Sequence, residues 1–85
     1  MINTVEDVAL QSVILQYDAD TTYIGEAPQY IKDNNTGTFV SVTENDPYWV
    51  VKKIVKTGGN KLSTRYANGS NKYEHTFSLW ASYTY

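Results

Sequence analysis

Few residues in this 85-residue chain have the types and spacing that metal binding requires. Asp18 and Asp20 are two carboxylates in one acidic turn, which could begin a calcium site, but calcium needs six to eight oxygen ligands and no EF-hand pattern follows. His75 is the only histidine, there is no cysteine, and no paired His or Cys spacing for zinc occurs. We therefore interpret the Asp pair as a solvated turn and expect no metal and no cofactor.

Nucleophilic or acid–base catalysis has equally little support. Glu74 precedes His75, but adjacent residues of a strand point to opposite faces and cannot form a base with its orienting acid. Ser78 and Ser82 are nucleophiles by residue type only, because no GxSxG-type motif surrounds them. We predict that the protein is not an enzyme.

The remaining chemical signal is aromatic. The chain has 8 Tyr, 2 Trp and 2 Phe, and such side chains serve both cores and half-wet interfaces. Trp80, Arg65 and tyrosines could form a carbohydrate platform, whereas we assign Trp49 to the core. Lys52, Lys53 and Lys56 form a basic patch on one strand, which indicates a solvated face or protection of a sheet edge.

Charge and hydropathy exclude other partners. The net charge is −2, without the basic patch that a nucleic-acid backbone binder needs. No apolar run approaches the roughly 20 residues of a membrane span, and the N-terminal residues lack a signal-peptide pattern. We expect synthesis in a cytoplasm, with no nucleic-acid or membrane partner.

The elements that position these residues are short strands, recognised by alternation between turn signals. One hairpin is predicted from Ser12–Tyr17 and Thr21–Ala27, with Gly25 marking a bulge or a close backbone approach and Pro28 ending the strand. A second is predicted from Tyr48–Thr57 and Lys61–Ala67 around Gly58-Gly59-Asn60.

The other segments are less regular. Between Tyr30 and Asp46 we predict a surface loop with one short strand over Thr38–Val42, and over Tyr73–Tyr85 one strand or two with a bend. The predicted fold is all-β: a small antiparallel β-sandwich or partly open barrel of five to six strands. We predict a single domain over residues 1–85, in which residues 1–9 form a mobile arm or a strand or, alternatively, a short helix after a capping box.

The order of several short motifs resembles a family of small virion structural proteins of tailed bacteriophages. The matching residues are Tyr-Ile-Gly-Glu-Ala-Pro at 23–28, a Trp that opens a Val/Ile–Lys strand at 49–54, Ala-Asn-Gly-Ser-Asn at 67–71 and Ala-Ser-Tyr-Thr-Tyr at 81–85. The resemblance spans the chain from about residue 12 onward. Three aromatic residues depart from the family pattern: Tyr66 and Phe77 stand where Trp is common, and Trp80 stands where Arg is common. The segment 30–46 lacks the usual Pro-Gly link, so its contacts are expected to be particular to this protein.

The resemblance implies a virion component that packs against copies of itself and other virion proteins. We expect a decoration or adaptor role at the head or neck, and a tail or fibre position is the nearest alternative. A carbohydrate- or receptor-binding module is the alternative function, with a glycan as partner. Candidate interface residues are Tyr30, Phe39, Trp80, Tyr83 and Tyr85.

Overall fold

A computed structural model describes residues 9–85 and contains two antiparallel sheets. The predicted all-β class is confirmed, and the strands do not close into a barrel. The elements are β1 Leu10–Gln16, β2 Thr21–Pro28, β3 Tyr30–Lys32, β4 Phe39–Ser41, β5 Val50–Thr57 and β6 Lys61–Tyr66, followed by two 3-10 helices, η1 Ala67–Gly69 and η2 Phe77–Ser82. The main sheet has the order β1-β2-β5-β6, and β3 and β4 form a separate hairpin inserted between β2 and β5.

The first predicted hairpin is confirmed. The Asp18 carboxylate accepts the Asp20 N–H at 2.9 Å, and this bond lowers the pKa of Asp18 below its ordinary value. The pairing continues without a bulge from Leu10 opposite Pro28 to Gln16 opposite Thr22, so Gly25 marks a close approach. The acidic pair is therefore explained by the turn it closes.

The second predicted hairpin is also confirmed. Thr57 pairs with Lys61 around a turn in which Gly59 and Asn60 adopt φ values of +78° and +66°. Left-handed backbone is accessible to Gly and Asn at little cost, so the local sequence specifies this connection.

Only one of the two strands of the inserted hairpin was predicted. β4 lies inside the expected Thr38–Val42 segment, but β3 was not foreseen. A hydrogen bond closes the turn between them: the Gly37 N–H donates to the Asp33 carbonyl at 2.7 Å, and Gly37 has a φ of +72°. Ile31 of β3 packs on the core, which fixes this short strand by a tertiary contact.

The predicted C-terminal strand is wrong. Beyond one isolated bridge between Trp49 and His75, the segment forms helix η2. Phe77 and Trp80 are spaced three apart within η2, and a 3-10 helix has three residues per turn, so these two aromatic rings can be directed to one side; Tyr83 follows the helix in extended backbone. That spacing competes with the strand propensity of the segment and places the rings against the sheet.

Helix η2 forms the second layer over one face of the main sheet. The buried core consists of Ala27, Val42, Trp49, Val51, Ala67 and Phe77, joined by partly buried Val13, Leu15, Ile31, Tyr48, Trp80, Tyr83 and Tyr85. Trp49 is fully buried, as predicted, and its indole Nε1 donates to the Thr43 carbonyl at 2.8 Å. A Cβ on Gly25 would lie 2.3 Å from Phe77 Cδ1, so the missing side chain makes room for that ring.

The prediction of an N-terminal arm or short helix falls on residues 1–9, of which 1–8 lie outside the described residues. In the part of the chain that the structure describes, no helix has the length and apolar character to cross a membrane.

Candidate interaction surface

The two faces of the main sheet differ in what covers them. Because side chains alternate along each strand, Val13, Tyr23, Gly25 and Val51 share the face beneath η2. The opposite face, here called the open face, is mostly uncovered among residues 9–85, but at one end Pro28 is fully buried and Asn71 and Tyr73 flank Glu26, Val50, Lys52 and Tyr66. It carries Leu10, Ser12, Ile14 and Gln16 from β1, Thr22, Ile24 and Glu26 from β2, Val50, Lys52, Ile54 and Lys56 from β5, and Leu62, Thr64 and Tyr66 from β6.

A continuous line of apolar side chains crosses the open face, and we call Ile14, Ile24, Ile54 and Leu62 the apolar band. Ile14 lies directly opposite Ile24. Ile54 and Leu62 then follow diagonally on β5 and β6, at spacings that side chains can bridge. Ile14 is 69% exposed and Leu62 is 68% exposed. The band is therefore solvent-exposed at its two ends and half-buried at Ile24 and Ile54, and a sheet normally buries such a stripe.

The charged residues of β5 divide between the two faces, so the basic patch predicted from Lys52, Lys53 and Lys56 is split. Lys53 lies on the covered face, with its Nζ 5.9 Å from the centre of the Tyr23 ring. Lys52 lies on the open face and forms an exposed ion pair with Glu26 at 3.8 Å. Such a pair contributes little to stability and leaves this part of the open face nearly neutral.

Two of the predicted interface residues, Tyr30 and Phe39, lie on the inserted hairpin. Phe39 pairs with Lys32 and Tyr30 pairs with Ser41, so both aromatic side chains are on the same side of the hairpin. Phe39 is 71% exposed and Tyr30 is 48% exposed. They form a second, smaller hydrophobic surface beside the main sheet.

Trp80 and Tyr85, also predicted as interface residues, are brought together by the C-terminal segment. The Tyr85 hydroxyl donates to the Trp80 carbonyl at 2.8 Å, and both rings contact Tyr23. Burial and the nearby tyrosine oxygens raise the pKa of Tyr85 to about 12. Both rings are half-buried, so intramolecular packing already uses much of their surface.

Tyr83, the fifth predicted interface residue, holds the start of η2. Its hydroxyl accepts the Thr76 N–H at 2.8 Å and donates to the Thr76 carbonyl at 3.0 Å. The Tyr83 ring lies edge-on to His75, with centroids 4.8 Å apart. His75 is buried, and its Nδ1 has no hydrogen-bond partner among the described residues. The histidine is therefore a packed interior residue.

Two grooves lie elsewhere on the described residues. One of about 540 Å³ lies between the inserted hairpin and Tyr48, with Ile31, Val40 and the Asp33–Asn35 turn around it. Another of about 540 Å³ is lined by Thr64, Arg65, Tyr66, Asn68, Gly69, Thr84 and Tyr85. Its Arg65, Asn68 and aromatic groups are the types that hold a sugar ring.

The apolar band was not predicted from the sequence, although its signal was present. Ile14 and Ile24 occupy matching positions in a hairpin whose turn fixes the register, and Leu62 alternates with Thr64 and Tyr66 on one face of its strand. The missing information was which face the C-terminal segment covers.

No protein-family model matches the chain, and comparisons with curated proteins and with solved structures find no match.

Proposed function

We propose that this chain is a structural subunit of a bacteriophage particle and acts by packing against copies of itself and neighbouring virion proteins. The observation that carries the proposal is the open face with its apolar band. A small domain that leaves one sheet face apolar gains stability when symmetric neighbours cover that face.

The size of the band suits an assembly contact. Full burial of an exposed Ile or Leu side chain contributes about 1.5–3 kcal/mol; because Ile14 and Leu62 are 69% and 68% exposed and Ile24 and Ile54 are already half-buried, covering the band contributes on the order of 3–6 kcal/mol. Association costs about 4–15 kcal/mol in lost freedom. One isolated contact is therefore weak, whereas a lattice that repeats the contact among many subunits holds firmly.

The class of particle is inferred from the motifs, which resemble small virion proteins of tailed phages. The exposed Tyr30 and Phe39 hairpin, in the segment that departs from the family pattern, supports contact with a further virion component. A decoration or adaptor position at the head or neck fits a subunit with two separate contact surfaces.

Two experiments test this proposal. Mass spectrometry of purified particles of the encoding phage should detect the chain in many copies, and its absence from intact particles would refute the proposal. Ile14→Lys should abolish incorporation, because it places a charge in the apolar band. Ala19→Lys, which makes the same charge change in an exposed turn, should incorporate normally.

The groove at Arg65 and Tyr85 favours a second candidate, a glycan-binding module. Its guanidinium, amide and aromatic groups could stack on and hydrogen-bond to a sugar. A glycan array should then give hits that Arg65→Ala removes, and an array without hits would eliminate this candidate.

A further inference from the structure

Among residues 9–85 no strand pairs with the outer edge of β1, and its outward backbone groups have no partner except the Leu10 carbonyl, which accepts a hydrogen bond from Gln29 Nε2 at 3.3 Å. The Ala9 carbonyl accepts from Gln29, and the Tyr17 N–H donates to Thr21, so the odd-numbered residues of this strand bond toward β2. Backbone direction alternates in an antiparallel ladder. The N–H and C=O groups of Leu10, Ser12, Ile14 and Gln16 therefore point outward, and their side chains lie on the open face.

We propose that β1 pairs antiparallel with β1 of a second copy, which joins two four-stranded sheets into one of eight strands. This inference rests on the proposed assembly function and names the first contact in that assembly. Many sheet edges are protected by charges, prolines or bulges, whereas β1 contains none of these within its seven residues, LQSVILQ. Its sequence has the β-branched and apolar character that favours strand pairing.

One register satisfies the whole edge. When Leu10 lies opposite Gln16 of the second copy, Ser12 lies opposite Ile14 and every outward N–H and C=O of the four residues is paired. The two-fold axis then passes between the two Val13 residues. The two Ile14 side chains become diagonal neighbours on the open face, so the apolar bands of the two copies join end to end.

The other edge of the sheet is less suited to self-pairing. By the same alternation, Leu62, Thr64 and Tyr66 of β6 point their backbone groups outward. The register that pairs all three, with Leu62 opposite Tyr66 and Thr64 opposite Thr64, makes the two Arg65 side chains diagonal neighbours, and β6 carries Lys61 and Arg65 where β1 has no charge. Pairing β1 with β6 is head-to-tail and produces an open fibre, whereas β1 with β1 closes as a dimer.

Matched proline variants test which edge is used. Ser12→Pro and Thr64→Pro each replace an exposed open-face residue and each remove an outward N–H, so neither breaks a bond within the sheet. By sedimentation equilibrium, the wild type should reach twice the 9.6 kDa chain mass. Ser12→Pro should raise the dissociation constant roughly ten- to hundredfold, and Thr64→Pro should leave it unchanged. Circular dichroism spectra like that of the wild type, and urea midpoints that match it at concentrations where the wild type is monomeric, establish that both variants fold.

Single cysteines test the register, since the chain has none of its own. Val13→Cys should form an intersubunit disulfide on mild oxidation, because Cα atoms of a non-hydrogen-bonded antiparallel pair are about 4.5 Å apart. Leu15 is half-buried on the same covered face, but it lies opposite Gln11 of the second copy. Its own counterpart is then about 13 Å away, so Leu15→Cys should not cross-link.

The outcomes separate this inference from the proposed function. Loss of association in both proline variants indicates β1–β6 pairing, and loss in neither shows that the edges are not used; both results overturn the inference. If neither proline variant loses association, the proposed function still stands provided that Ile14→Lys blocks incorporation into particles. A wild type that stays monomeric overturns the inference, and particle mass spectrometry decides the function independently.

Discussion

The contact between Gly25 and Phe77 gives the sharpest prediction about the fold. An alanine Cβ at position 25 would lie 2.3 Å from Phe77 Cδ1 and 2.9 Å from Trp49 Cε3, both closer than real Cβ contacts allow. Relieving such overpacking in a well-packed core typically costs about 1–3 kcal/mol. Replacing glycine also lowers the conformational entropy of the unfolded chain, and this offsets about 0.4–1 kcal/mol of the cost. Gly25→Ala should therefore lower the free energy of unfolding by about 1–2 kcal/mol.

Urea denaturation followed by tryptophan fluorescence measures this change. Gly58→Ala is the matched control, because nothing lies within 4 Å of a Cβ there and its backbone is not left-handed. It should be neutral or slightly stabilising.

A double-mutant cycle identifies the cause. In the Phe77→Ala background the two closest clashing atoms are gone and only the approach to Trp49 Cε3 remains, so Gly25→Ala should cost clearly less than in the wild type. If Phe77→Ala does not fold, Phe77→Val takes its place in the double-mutant cycle. If Gly25→Ala is as stable as wild type, or if its cost is unchanged without the Phe77 ring, then Phe77 does not pack against the sheet at this position.

Two further predictions concern the tyrosines of the C-terminal segment. Tyr83→Phe removes both hydrogen bonds to the Thr76 backbone and should lower the urea-derived stability by about 1–3 kcal/mol, whereas Tyr30→Phe at an exposed site should change it by less than about 0.5 kcal/mol. Tyr85 has a pKa of about 12 in the folded protein and of 10.0 in the unfolded chain. Its contribution to the free energy of unfolding is therefore complete below pH 10 and is lost as the pH rises toward 12. Across that range the melting temperature should fall less steeply with pH for Tyr85→Phe than for the wild type. Equal slopes would contradict the raised pKa of Tyr85.

Local sequence predicted the two main hairpins because their determinants are local. The Asp18 and Asp20 turn and the Gly59-Asn60 turn fix the register, and alternation then assigns each side chain to a face. Gly25 was correctly associated with a close approach, but the partner ring comes from residue 77, far along the chain.

The remaining features depend on tertiary contacts. β3 has only three residues and is held by pairing with β4 and by the packing of Ile31. Phe77 and Trp80 suit a strand or a 3-10 helix equally well by residue type, and contact with the sheet selects the helix. The open face could be identified only once the position of η2 was known, because both faces of β5 are apolar at its start.

Sedimentation equilibrium of the intact chain, from low micromolar to high micromolar concentration, most directly tests whether the β1 edge pairs with a second copy. The account predicts an average mass that rises from 9.6 kDa toward twice that value as concentration increases. A mass that remains at the monomer value over the whole range would contradict it.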